Sequence, residues 1–153
     1  MSAQESPADF SKRIAKHFEK KADHNKNEAL LCFSFIVVFS LVSPIFFNFG
    51  EGAFWGKIVP SVLSLSVAAV TSWTQLRKPQ NLWSIYRDAQ RRIEDNFYKF
   101  SYDLEEYGES SEKEKLLVNN VRLIIMQTHK QWMPIVPSAD SISAAPKDIS
   151  NKT

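Results

Sequence analysis

The sequence predicts an all-α membrane protein: a two-helix transmembrane hairpin with an N-terminal amphipathic helix and an antiparallel pair of cytoplasmic helices. Two long apolar runs lie close together within residues 29–75. The short loop between them holds three of the chain's four glycines. The flanking segments are charged and repeat apolar residues every three or four positions, the helical period. The resulting divisions are 1–28, a cytoplasmic amphipathic helix; 29–75, the hairpin; 76–133, a cytoplasmic helical domain; and 134–153, a disordered tail.

The first segment opens with Ser6 in an N-cap position and Pro7 in the first helical turn, where a missing N–H costs little. Phe10, Ile14 and Phe18 recur every four residues and form a narrow apolar stripe. That stripe predicts packing against the other cytoplasmic helices, with the helix free to continue into the first span. Lys16, Lys20 and Lys21 alternate with Glu19 and Asp23, the pattern of a solvated face.

Residues 29–49 carry no charge. At about 1.5 Å per residue they cover a hydrocarbon core of about 30 Å. Pro44 predicts a kink near the far end. The loop that follows, "GEGAFWGK", reads as a tight glycine-supported reversal with Phe54 and Trp55 at the interface. It is too short for a pore helix and selectivity filter, which excludes the potassium-channel plan. The second span runs over 54–75, with Pro60 in its first turn and Lys57 snorkelling to the headgroups. Basic residues crowd the outer ends of both spans (Lys20, Lys21 and Lys26 before, Arg77, Lys78 and Arg87 after), whereas the loop has one. Both termini are therefore expected in the cytoplasm. The densely charged leader argues against a cleaved signal peptide.

In the third segment, Leu82, Tyr86, Ala89, Ile93, Phe97, Phe100, Leu104 and Tyr107 form a sustained helical stripe, with Gly108 as the expected C-cap. Ser111 and Glu114 have capping-box spacing and open a helix carrying Leu117, Val121, Ile124, Ile125 and Trp132, stopped by Pro134. Residues from 137 on are small, polar and proline-containing, hence disordered.

Composition excludes several functions. A net charge of +2 selects no partner by itself. The one cysteine, Cys32, allows no intrachain disulfide. His17, His24 and His129 lack metal-ligand spacing, Glu105 and Glu106 are adjacent and point to different faces, and no phosphate loop occurs. Neither enzymatic activity nor a cofactor is expected.

Two closely spaced spans are followed by Trp83, Tyr86 and Arg87, then Arg92-Ile93-Glu94 and Phe97-Tyr98, then a second helix ending at Trp132. Over residues 10–133 this pattern resembles the SLATT family, whose relatives include a two-span domain of unknown function. The resemblance implies a multi-pass protein of the bacterial inner membrane, acting as a pore-forming effector in antiphage defence. It also implies pairing with a nucleotidyltransferase encoded nearby, or with a nucleotide sensor.

Two candidate sites follow. Ser61, Ser64, Ala68, Thr71 and Gln75 are spaced three and four apart and form one small or polar face of the second span. Such a face packs helices closely or, repeated around an axis, lines a water path, with Leu63, Val67 and Val70 as packing residues or a hydrophobic gate. Two helices cannot enclose water, so a channel requires a homo-oligomer, expected to hold four or more copies. The second site is the basic and aromatic set Arg77, Lys78, Trp83, Arg87, Arg91 and Arg92, whose chemistry suits a nucleotide or short single-stranded oligonucleotide. The same residues also suit helical ion pairs, Arg91 with Asp95 and Arg92 with Asp88, or membrane lipids. The alternative to a gated channel is a membrane-anchored scaffold or nucleotide sensor that recruits a soluble partner and has no pore.

Overall fold

The computed structural model describes residues 5–50, 52–109 and 111–133, and the described residues are helices joined by short turns. The expected disordered tail lies outside them. The first helix, α1 (Pro7–Phe49), is continuous over 43 residues, about 65 Å at about 1.5 Å per residue. The amphipathic leader and the first apolar run are thus one helix. Pro44 does not interrupt it.

α1 carries a single seam. Ser11, Ala15, Phe18, Ala22, Asn25 and Cys32 are buried, and Ala29, Ile36, Phe39, Ser43 and Phe46 are half-buried. Their spacing alternates four and three throughout, the repeat by which one helix keeps a neighbour along its whole length. Against the C-terminal half of this seam lies α2 (Val59–Arg77); against the N-terminal half lies α3 (Pro79–Ser101). Ser43 Oγ donates to the Pro60 carbonyl at 3.4 Å, and Phe46 stacks on Trp55 at 5.9 Å between centroids. Both α1 and α2 are long and apolar enough to cross a membrane, and only 6% of each apolar window is buried. Leu31, Leu41, Phe47 and Leu65 all point outward. A core helix of a soluble fold would bury such residues, so these surfaces need lipid or further copies of the chain to cover them.

The reversal between α1 and α2 depends on close backbone approach as much as on positive φ. Gly52 takes φ +81°, but a Cβ at Gly50 would lie 2.4 Å from the Phe46 carbonyl oxygen and 2.7 Å from the Trp55 backbone. A single turn of wider helix, Phe54–Ile58, then leads into α2, with Val59 N–H donating to the Phe54 carbonyl. Replacing Gly50 with alanine should lower stability by about 1–3 kcal/mol, the usual range for overpacking. Thermal unfolding in detergent micelles checks it; an unchanged midpoint would mean that the loop is open.

α2 and α3 are separated by one residue. Lys78 takes the left-handed conformation (φ 47°, ψ 53°), ends α2 through its N–H to the Thr74 carbonyl, and redirects the chain into Pro79. The expected stripe of α3 is present: Leu82, Ala89 and Ile93 are buried, Tyr86, Phe97 and Phe100 half-buried. The helix nevertheless ends at Ser101, ahead of the expected cap at Gly108. The cause is local: Asp103 adopts φ 52° and Leu104 N–H donates to the Lys99 carbonyl at 2.9 Å. This is the Schellman geometry, with aspartate where glycine is usual. Leu104 is consequently exposed, whereas Tyr107 is buried from a separate short turn, α4 (Glu106–Glu109). The last helix, α5 (Lys113–Trp132), starts two residues after Ser111, with Glu112 rather than Ser111 in the capping position, so the expected capping box does not open it.

α1, α3 and α5 share one apolar core built from Ala15, Phe18, Ala89, Ile93, Leu117, Val121 and Ile124, closed by Tyr107. The Tyr107 hydroxyl donates to Asn96 Oδ1 at 3.1 Å and accepts from Asn120 Nδ2 at 3.0 Å, which leaves this buried polar group paired.

Candidate functional site

The polar face of α2 is open. Ser61, Ser64, Ala68 and Gln75 are exposed and Thr71 is half-buried at the border. Leu63, Val67 and Val70 are half-buried on the side that meets α1. The hydroxyls of α2 fall into two groups. Ser61, Ser66 and Ser72 donate to carbonyls four residues back, at 2.7, 2.8 and 2.9 Å, and Thr74 to the Thr71 carbonyl at 2.8 Å. These donors are satisfied within their own helix and tolerate an apolar surrounding. Ser64 and Thr71, seven residues apart on one face, make no such bond among the described residues.

The basic set is not gathered onto one surface. Arg87 reaches across to α1: its Nη2 donates to Asp23 Oδ1 at 2.7 Å, and Nη1 donates to Gln90 Oε1 at 2.8 Å. Arg92 reaches the other way, donating to Gln127 Oε1 of α5 at 2.6 Å, with Asp88 4.0 Å away. These two arginines brace α3 against its neighbours. Asp95 pairs with Lys99 at 3.2 Å rather than with Arg91. Trp83 and Arg91 are exposed, and Lys78 lines a separate groove beside Ala29, Phe33 and Asn81. Of the expected set, Arg77 alone enters a cleft shared by four helices.

That cleft, 680 Å³, lies where α1, α2, α3 and the end of α5 meet. Lys20, Lys21, His17 and His24 line it from α1, Trp73, Leu76 and Arg77 from α2, Leu82 and Tyr86 from α3, and Trp132 from α5. A smaller 430 Å³ hollow shares His17, Lys21, Tyr86 and Trp132 and extends it along α5. The Arg77 guanidinium sits over the Trp73 ring at 5.9 Å and Lys21 Nζ over Tyr86 at 5.5 Å. Burial pushes the Tyr86 phenol above its ordinary value. At the rim, Glu28 accepts from Trp73 Nε1–H at 3.3 Å and holds Arg77 Nη2 at 3.2 Å, the latter a charge contact without hydrogen-bond alignment. Glu28 is the last charge of α1 before its uncharged stretch, and Arg77 the first after that of α2. They fasten the two apolar helices together where charge resumes.

Sequence reasoning placed Lys20 and Lys21 on a solvated face and the aromatics in the core. The cleft forms because Trp132, far along the chain, closes one side of it. On α1 Lys21 falls beside the seam but Lys20 nearly opposite it, so the helical pattern carries no signal that both would line one cleft.

A family described only as proteins of unknown function, DUF4231, matches residues 14–115. No curated protein and no solved structure matches the chain. The matched segment takes in most of α1, the hairpin, α3 and the start of α5, which is more than half of the chain, and on that ground the chain belongs to the DUF4231 family.

Proposed function

We propose that this protein is a homo-oligomeric channel of the bacterial inner membrane, a SLATT-like pore-forming effector of antiphage defence with both termini in the cytoplasm. The observation that supports this most is the open face of α2. Ser61, Ser64, Ala68 and Gln75 are exposed on a helix long and apolar enough to span, and the Ser64 and Thr71 hydroxyls are unspent. Lipid gives such a face nothing to bond, whereas copies arranged around an axis would turn it to a shared water path. Leu63, Val67 and Val70, on the α1 side, would hold the hairpin together at the rim of that path. Gating is assigned to the cytoplasmic helices responding to a nucleotide or short oligonucleotide. Arg91 and Trp83 remain exposed for such a ligand, while Arg87 and Arg92 are committed to interhelical contacts.

The test is ion flux through purified protein in liposomes. Ser64→Leu and Thr71→Leu, with cross-linked assembly intact, should each cut flux at least about tenfold, because each places an apolar side chain in the proposed path. Wild-type flux in both variants would remove the face from the conduction path.

A second reading, a membrane-anchored scaffold, is favoured by a different observation. Val118, Leu123 and Met126 are exposed along α5, and Tyr98 of α3 pairs in the open with Tyr102 just past its end, at 4.6 Å. Absence of flux together with stoichiometric capture of a soluble partner through these residues would select it.

A further inference from the structure

We propose that the 680 Å³ cleft is a binding site for the phosphate headgroup of one anionic phospholipid. The proposal rests on the membrane placement of the hairpin and is independent of whether α2 lines a pore.

The cleft's level in the molecule comes first. Trp73 and Leu76 belong to the last turns of α2, and Glu28 and Arg77 mark where charge resumes on both apolar helices. The opening therefore sits at headgroup depth, with one wall continuous with the surface that would face acyl chains. Charge comes next. Lys20, Lys21 and Arg77 line the cleft against one rim carboxylate, Glu28. Neither Lys20 nor Lys21 has an ion-pair partner among the described residues. With Arg77 answered by Glu28, the two lysine ammoniums are left to face the phosphate of an anionic lipid.

A free mononucleotide also offers a phosphate. The apolar wall decides against it: Trp73 and Leu76, exposed on the last turns of α2, carry the cleft up to the level of the apolar spans, where a diacylglycerol moiety would lie and a soluble ligand would leave apolar surface wet.

Native mass spectrometry of the full chain released from detergent gives the test. Phosphatidylglycerol, phosphatidic acid, phosphatidylcholine and adenosine monophosphate are supplied in turn. One phosphatidylglycerol per chain should be retained in preference to phosphatidylcholine. Lys20→Gln/Lys21→Gln, which breaks no ion pair, should weaken retention at least about tenfold. Circular dichroism establishes that the variant is folded, and the lipid comparison on the unaltered chain decides independently of it. Equal retention of phosphatidylcholine, wild-type retention by the lysine variant, or displacement of the lipid by adenosine monophosphate would each overturn the assignment.

Discussion

Leu117→Ala should destabilise the α1–α3–α5 bundle by about 2–5 kcal/mol, the range for deleting a buried leucine side chain down to its Cβ. Leu117 is fully buried and belongs to the core cluster with Ile93, Val121 and Tyr107. The cost combines lost apolar transfer with the void left behind. The void cannot collapse easily, because α3 is pinned on both sides by the Arg87–Asp23 and Arg92–Gln127 contacts. Urea unfolding in mild detergent, followed by the fluorescence of Trp132 at the end of α5 in a chain with Trp55, Trp73 and Trp83 replaced by phenylalanine, measures it. Trp132 reports because it is half-buried where α5 closes the cleft. A loss below about 1 kcal/mol, the level of an ordinary surface change, would mean that α5 does not dock as described.

Ala22→Leu acts at the other extreme of packing. Ala22 is 0% exposed and sits on the α1 seam facing α3, one turn on from the Phe18–Tyr86 ring contact. A side chain this small lets the two helices approach closely there. Three added carbons have no space there, and overpacking should cost about 1–3 kcal/mol. The effect should also be directional, because moving α1 away from α3 stretches the 2.7 Å contact between Arg87 and Asp23. Hydrogen exchange should therefore show faster opening in α3 while α2, docked on the other half of α1, keeps its protection. Uniform protection across α3 in the variant would show that this interface is loose enough to absorb a leucine.

How much of this was legible depends on what kind of residue makes each contact. The stripe of α3 and the Leu117, Val121 and Ile124 stripe of α5 were readable because their buried positions are apolar and recur at the helical period. The apolar spans were readable from length alone. The seam of α1 was not. Its buried positions include Ser11, Ala15, Ala22 and Asn25, which no hydropathy pattern marks, while the conspicuous Phe10 and Ile14 are only half-buried beside it. The early end of α3 was hidden for another reason. Asp103 takes a left-handed conformation that glycine would have advertised, and Gly108, the expected signal, lies inside α4. The candidate site was partly legible: Arg77 was placed correctly near the span end, but its companions come from α1 and α5, brought together only by the tertiary fold.

Because one unbroken helix holds α3 with its first half and α2 with its second, both halves must keep a common phase. Inserting a single residue between Asn25 and Ala29 would turn everything beyond it by about 100°. Either α3 or α2 would then face the wrong side of the rod. An insertion of about seven residues, two turns, would restore the phase at the cost of sliding one contact past the other. Length variation in α1 is thus confined by geometry to whole repeats, whereas the turn around Lys78, which interrupts only the opposing helices, is free to change by single residues.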